Sequence, residues 1–317
     1  TRVTLPNYLG LTNPPFSNVG RMHSYGSDGN IEYNHTINED IRFTVRGNWT
    51  FSQNIIDYFE ENKLPYDYLS VTGKPHGILR GYISEGLFKD REEIETSPDQ
   101  SAFGRIRPGD IKYRDVNGDG RINEDDKVPL SYGSQVPRLM YGFGGDFSWK
   151  NLTVAVLFRG AAKVDYYRSG LNIYQFGANA PGWIPFYNGD LGNVIKLANN
   201  PANRWTPAWY SGDPSTENPN AEFPRLSYGN NNNNEQLSTF WKRDGSYIRL
   251  QEVSLRYRLK DMNWIKTVGL SSVDVEFVTN NIFTIDKVKY FDPEQAQYNG
   301  GAYPIPTSYT LQLYLNF

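Results

Sequence analysis

The sequence predicts an all-β protein: about seven antiparallel strands belonging to a large transmembrane β-barrel, joined by long extracellular loops. Three observations predict it. Apolar and polar residues alternate in one segment after another, the period of a strand with one apolar and one polar face. The connections between those segments run alternately short and long, the plan of an outer-membrane barrel. Aromatic residues make up 15% of the chain although the mean hydropathy is −0.62. That combination belongs to carbohydrate-binding β proteins and to barrels with aromatic girdles around a polar lumen.

The strands are placed by their two-residue alternation. A weaker one spans 25–36. The clearest, 41–52, sets Ile41, Phe43, Val45, Trp49 and Phe51 against Arg42, Thr44, Arg46, Asn48, Thr50 and Ser52. Others follow at 139–149, 151–160, 246–260 and 272–282, and the last, 307–317, carries Tyr309, Leu311, Leu313, Leu315 and Phe317 on one face. The short connections are 38–40, a turn at Lys150 and 261–271; the long ones are 57–138, 161–245 and 283–306. Loops above about 15 residues are uncommon in compact soluble domains. The low-complexity tract GNNNNNE at 229–235 reads as a loop tip.

Composition narrows the function. The 317 residues carry a net charge of −3 from 32 basic and 35 acidic side chains, which gives no nucleic-acid partner and no attraction to an anionic surface. With no cysteine, disulfides and thiolate sites are excluded. Three histidines far apart in sequence make a histidine-based metal or catalytic cluster improbable. No run of eighteen apolar residues offers a membrane helix, which leaves barrel strands untouched as a possibility. The first residues, TRVTLPNYLGL, have neither a basic start nor an apolar core and read as the middle of a longer protein.

Three motifs carry chemistry. In YRDVNGDGRINEDDK, the side chains of Asp115, Asn117, Asp119, Asn123 and Asp126 with the carbonyl of Arg121 have the spacing of an EF-hand calcium loop, and Gly120 allows its sharp turn. Asp126 stands where a bidentate glutamate is usual, so the cage would be weak. The same residues also fit a turn pinned by side-chain-to-backbone bonds alone. The 161–245 connection interleaves aromatics, among them Tyr166, Tyr167, Trp183, Trp205, Trp209 and Tyr210, with Asn, Asp and Gly. Rings of this kind capture sugars or peptide side chains, or pack the loop onto its neighbours; Trp183, Trp205, Trp209 and Tyr210 are the substrate-binding candidates. Arg42, Arg46, Glu252, Arg256, Arg258 and Lys260 face away from the apolar side of their strands. Asp274 and Glu276 share a face, yet a glycosidase pair is the weaker reading of two acidic residues on one strand. No catalytic set emerges, and the chain is not expected to be an enzyme.

Several blocks together resemble a family. GYISEGLFKDREEI (81–94), RPGDIKYRDVNGDGRINEDDK (107–127), YGFGGDFSWKNLTVAVLFRG (141–160), FWKRDGSYIRLQEVSLRYRL (240–259), VTNNIFTIDKVKYFDPE (278–294) and YPIPTSYTLQLYLNF (303–317) are similar to the C-terminal part of SusC/RagA-type TonB-dependent outer-membrane transporters. The resemblance implies a 22-stranded barrel in the Gram-negative outer membrane, of which 1–317 is the C-terminal part, with the plug domain and TonB box in other polypeptide. It implies import of a large nutrient, oligosaccharide or peptide. The implied partners are the rest of the barrel and plug, outer-membrane lipid, a SusD-like surface lipoprotein acting as a lid, and the TonB–ExbB–ExbD complex. It places 57–138 outside the cell, where a weak structural calcium site would suffice, and makes Tyr309, Leu311, Leu313, Leu315 and Phe317 an assembly signal. The competing expectation is a secreted or surface carbohydrate-binding β domain with a structural calcium.

Overall fold

Seven long strands hydrogen-bond in sequence order into one sheet. The computed structural model that shows this describes residues 18–131, 136–167, 196–227, 231–288, 292–298 and 303–317. The strands are β1 (Gly20–Thr36), β2 (Ile41–Phe59), β3 (Leu139–Trp149), β4 (Leu152–Ala162), β5 (Tyr247–Lys260), β6 (Ser272–Asp286) and β7 (Ser308–Asn316). Each expected strand is present. The first two are longer than their alternation indicated, because the adjacent Ile55 and Ile56 break the period within β2 while its backbone pairing continues.

Turn chemistry sets the short connections. The Asn38 side-chain oxygen accepts the Asp40 and Ile41 amides at 2.9 Å, closing the β1–β2 turn. Lys150 takes a left-handed φ of 54° between β3 and β4, the handedness that a two-residue hairpin needs. A short helix, Asn263–Thr267, bridges β5 and β6.

The register makes the sheet two-faced. Phe43, Phe147, Val154, Leu255, Phe277 and Leu311 lie side by side across β2 to β7, and Tyr33 of β1 brings its ring 6.1 Å from that of Phe43. One residue away runs the row Arg42, Ser148, Thr153, Arg256, Glu276 and Gln312. A bulge at Gln251 shifts the register on both sides of β5, so Ile248 and Leu250 join the apolar face although Val253 and Leu255 have the opposite parity. Among the described residues nothing covers the apolar face: Val45 is 55% exposed, Phe147 48% and Leu311 68%. Proteins surrounded by water seldom expose an apolar area of this extent.

The chain divides into two compact units. One comprises 25–52, 135–165 and 244–317; the other comprises 53–134 and 166–243, with the residues before 25. The second unit, built chiefly from two long connections, has its own core of Tyr82, Leu87, Ile111, Tyr113, Phe223 and Trp241. Short pairings such as Ser84–Leu87 with Ile111–Tyr113 supply its backbone framework. Where 229–235 read as a loop tip, the structure buries Asn233 and Asn234 to 1% exposure. Asn231 and Asn234 each donate to Asp110 at 2.9 Å, and the fully buried Asp110 carboxylate also pairs with Arg225 at 2.8 Å. Asn233 donates to the Ile111 carbonyl at 2.9 Å and takes a 2.8 Å bond from Gln100. Asparagine carries two donors and an acceptor on a short stem, so a run of them satisfies a buried polar seam that composition alone assigns to solvent.

Gly109 is a tight place in this unit. Its φ is +84°, and an added Cβ would lie 2.4 Å from the Trp205 ring. We expect Gly109→Ala to destabilise this unit by about 2–4 kcal/mol, combining left-handed strain with overpacking. Gly118→Ala, at φ +76° with nothing within 4 Å, should cost only about 1–2 kcal/mol. Proteolytic susceptibility against temperature measures both, and equal losses would refute the packing argument.

Candidate functional site

The polar face of the sheet is chemically organised. Arg258 holds Asp274 through two bonds of 2.9 Å, and Arg256 holds Glu276 at 2.7 Å, each directly across β5 and β6. Fork-to-carboxylate pairing of this kind fixes both partners. It leaves Asp274 and Glu276 neutralised where a glycosidase would need one free acid. Further along the sheet, a depression of about 180 Å³ is lined by Glu32, Arg46, Asn48, Gly142 and Leu157. Near the end carrying the long connections, Arg159 and Arg249 stand opposite each other on β4 and β5. Arg249, 1% exposed, donates to Thr284 at 2.9 Å and to Asp292; Arg159 donates to Glu294 at 2.6 Å.

The 115–126 loop is closed by its own side chains. Asp115 accepts the Gly118 amide at 2.6 Å and the Gly120 amide at 2.8 Å. Asn117 accepts from Asp119 at 3.0 Å, and Asp119 from Arg121 at 2.8 Å. The amides of Asn117 and Asn123 converge on the second Asp119 oxygen at 3.1 and 3.4 Å. Asp126 differs from its expected place in a cage. Fully buried, it accepts the Val116 amide at 2.7 Å and the Asn123 amide at 2.8 Å, capping the short helical turn Glu124–Asp126. A residue whose two oxygens are drawn to backbone N–H groups is poorly placed to close a cation site. Among the described residues no three of His, Cys, Asp and Glu are grouped to hold a metal by themselves. The hard oxygens of Asp115, Asn117, Asp119 and Asn123 and the Arg121 carbonyl still match calcium in kind.

The aromatic candidates separate by burial. Trp205 is 6% exposed within the core, against Gly109, so its expected role in ligand binding is replaced by packing. Tyr166 and Tyr167 are buried too, at 2% exposure each. Burial also drives the phenols of Tyr82 and Tyr113 far above their usual range, which keeps both neutral. Trp209 and Tyr210 are the opposite case, 85% and 65% exposed, with rings 6.0 Å apart and edge to face on the short helix Ala208–Ser211. Trp183 lies outside the described residues. On β7, Tyr309, Leu311, Leu313 and Leu315 are 55–69% exposed and Phe317 90%. The Arg159–Arg249 cluster went unread in the sequence because its acidic partners lie more than 40 residues away from Arg249 and further still from Arg159; the Gln251 bulge, which moves Arg249 to the polar face, leaves no local signature.

No family model matches the chain. In sequence it is 29% identical over 262 residues to TonB-dependent receptor P26 of Formosa agariphila, covering 78% of this chain and 23% of that protein. It is 22% identical over 338 aligned residues to TonB-dependent receptor P3 of the same organism, covering 99% of this chain and 30% of that one. In structure it resembles the RagAB peptide transporter, with a TM-score of 0.63 at 20% identity over 100% of this chain and 32% of the other. The RagAB peptide importer in the 'open-open' state gives 0.64 at 17% identity, with 100% and 31% covered. The chain therefore spans about a quarter to a third of the proteins it matches. In sequence the chain is similar to TonB-dependent receptors, and in fold it is similar to a portion of the RagAB transporter.

Proposed function

We propose that this chain is part of the barrel of a TonB-dependent importer of the Gram-negative outer membrane, carrying a large nutrient, oligosaccharide or peptide, inward. The observation that carries the reading is the largely exposed apolar row from Tyr33 through Leu311 backed by a row of polar and charged side chains. Hydrocarbon takes the first and a polar lumen takes the second. The strand β7 alone, from Tyr309 to Leu315, spans about 20 Å at 3.3 Å per residue, close to the height of a barrel's apolar band. Both edge strands of the sheet would pair with further barrel strands, and Arg42, Arg46 and the Arg256–Glu276 pair would face a plug. The names of the relatives support TonB-coupled import, and those of the RagAB structures support a peptide as cargo; energy from TonB–ExbB–ExbD and a SusD-like lipoprotein lid belong to the same proposal.

The lipid assignment predicts a contrast between neighbouring residues. Leu313→Lys puts a charge in the bilayer at a cost of roughly 2–4 kcal/mol, so the full-length protein should reach the surface in reduced amount. Gln312→Lys, one residue away on the polar face, should insert normally. Surface labelling of intact cells reads both, and equal insertion would sink the assignment. The exposed face of β7, with Phe317 just beyond it, would serve as the segment recognised during assembly.

Trp209 and Tyr210 would meet cargo or lid, since a paired exposed indole and phenol offer apolar area with hydrogen-bonding tips. Trp209→Ala/Tyr210→Ala should lower nutrient uptake per surface molecule at least threefold while leaving surface amount unchanged. Unaltered uptake would show these rings idle.

We also propose that the 115–123 segment takes a calcium ion weakly through Asp115, Asn117, Asp119, the Arg121 carbonyl and Asn123. A cation there would tie the turn more tightly, so calcium should slow proteolysis at 115–126 and Asp119→Ala should abolish the effect. Identical cleavage in calcium and in chelator would leave only the self-bonded turn.

A further inference from the structure

The strongest cluster on the polar face joins strands to a loop. Arg159 and Arg249 are directly opposed on neighbouring strands, an arrangement of like charges that destabilises a sheet unless anions offset it. Both anions come from the β6–β7 connection. Asp292 and Glu294, at the start of the two-turn helical segment Pro293–Tyr298, reach back to them. Arg159 grips both Glu294 oxygens at 2.6 Å. Two positive and two negative charges thus fasten 292–298 over the sheet where the long connections begin.

The arginines are not saturated by this partner. Arg249 Nη1 lies 3.0 Å from Glu294 but out of line for a hydrogen bond, and Arg159 Nε is buried without an acceptor among the described residues. An unpaired nitrogen on Arg249, 1% exposed, beside another on Arg159, 42% exposed, marks a place built for carboxylate and incompletely filled by the chain's own.

We propose that Arg159 and Arg249 form a carboxylate-binding site, that Asp292–Tyr298 is a strap latched into it, and that carboxylate-bearing cargo competes with the strap. The competition rests on the polar face being the lumen of an importer; the latch does not. Lifting the strap leaves two arginines side by side, converting a neutral patch into an anion-accepting one. Acidic peptides and uronate-containing glycans share the chemistry that would do this.

The test is a distance measurement in the full-length protein in outer membranes. Spin labels go on Gln295→Cys in the strap and on Asp261→Cys, an exposed residue between β5 and β6; this chain has no other cysteine. The native protein should give one narrow distance distribution. Asp292→Ala/Glu294→Ala, which leaves every strand residue intact, should at least double its width. Hexaglutamate added to the native protein should broaden it likewise, and hexaglutamine should not. A double variant as narrow as the native protein overturns the latch; hexaglutamate behaving as hexaglutamine overturns the carboxylate site. Neither result depends on the insertion contrast at Leu313, so failure of the importer reading would be seen separately.

Discussion

Everything in this fold depends on a register held across seven strands. Side chains alternate with a period of two, so a one-residue slip in any pair would carry charges into the apolar row and rings into the polar one. The row from Phe43 to Leu311 and its neighbour from Arg42 to Gln312 are one constraint seen from two sides. Backbone pairing supplies the cohesion, each strand satisfying its N–H and C=O groups on its neighbours. The cross-strand pairs Arg256–Glu276 and Arg258–Asp274 then lock the register between β5 and β6, because each arginine finds its carboxylate only in that alignment.

The sheet's regularity frees the long connections to do other work, and they do it by folding. A connection of this length would cost heavily in chain entropy if each residue had to be ordered singly. Burying Tyr82, Tyr113, Phe223 and Trp241 in a shared core offsets that cost. The polar seam of Asp110, Arg225, Gln100 and the asparagines then specifies how the two segments meet.

What the sequence made legible follows the same division. Strands with strict alternation, 139–149 or 308–316, were readable because local pattern and tertiary environment agree. The extension of β2 past residue 52 and the reversal at Gln251 were not, since both depend on a partner strand and not on the strand's own composition. The 115–126 spacing was plain, yet the use of Asp126 as a backbone cap appears only once its burial is known. Trp205 and Trp209 are four residues apart and alike in sequence; one is core and the other almost fully exposed. Composition names the rings, and only packing sorts them. The asparagine run misled for the same reason, because polar residues signal a surface until a second polar segment is found to bury them.

The bonds from Asp110 to Arg225, Asn231 and Asn234 join segments more than a hundred residues apart in the chain. Neither segment can then drift alone over evolutionary time. A change at 110 must be matched at 225–234, so the two connections should be inherited as a set. Anyone exchanging these connections between related chains would have to move both at once, and a chimera carrying one of them would inherit a buried carboxylate with nothing to hold.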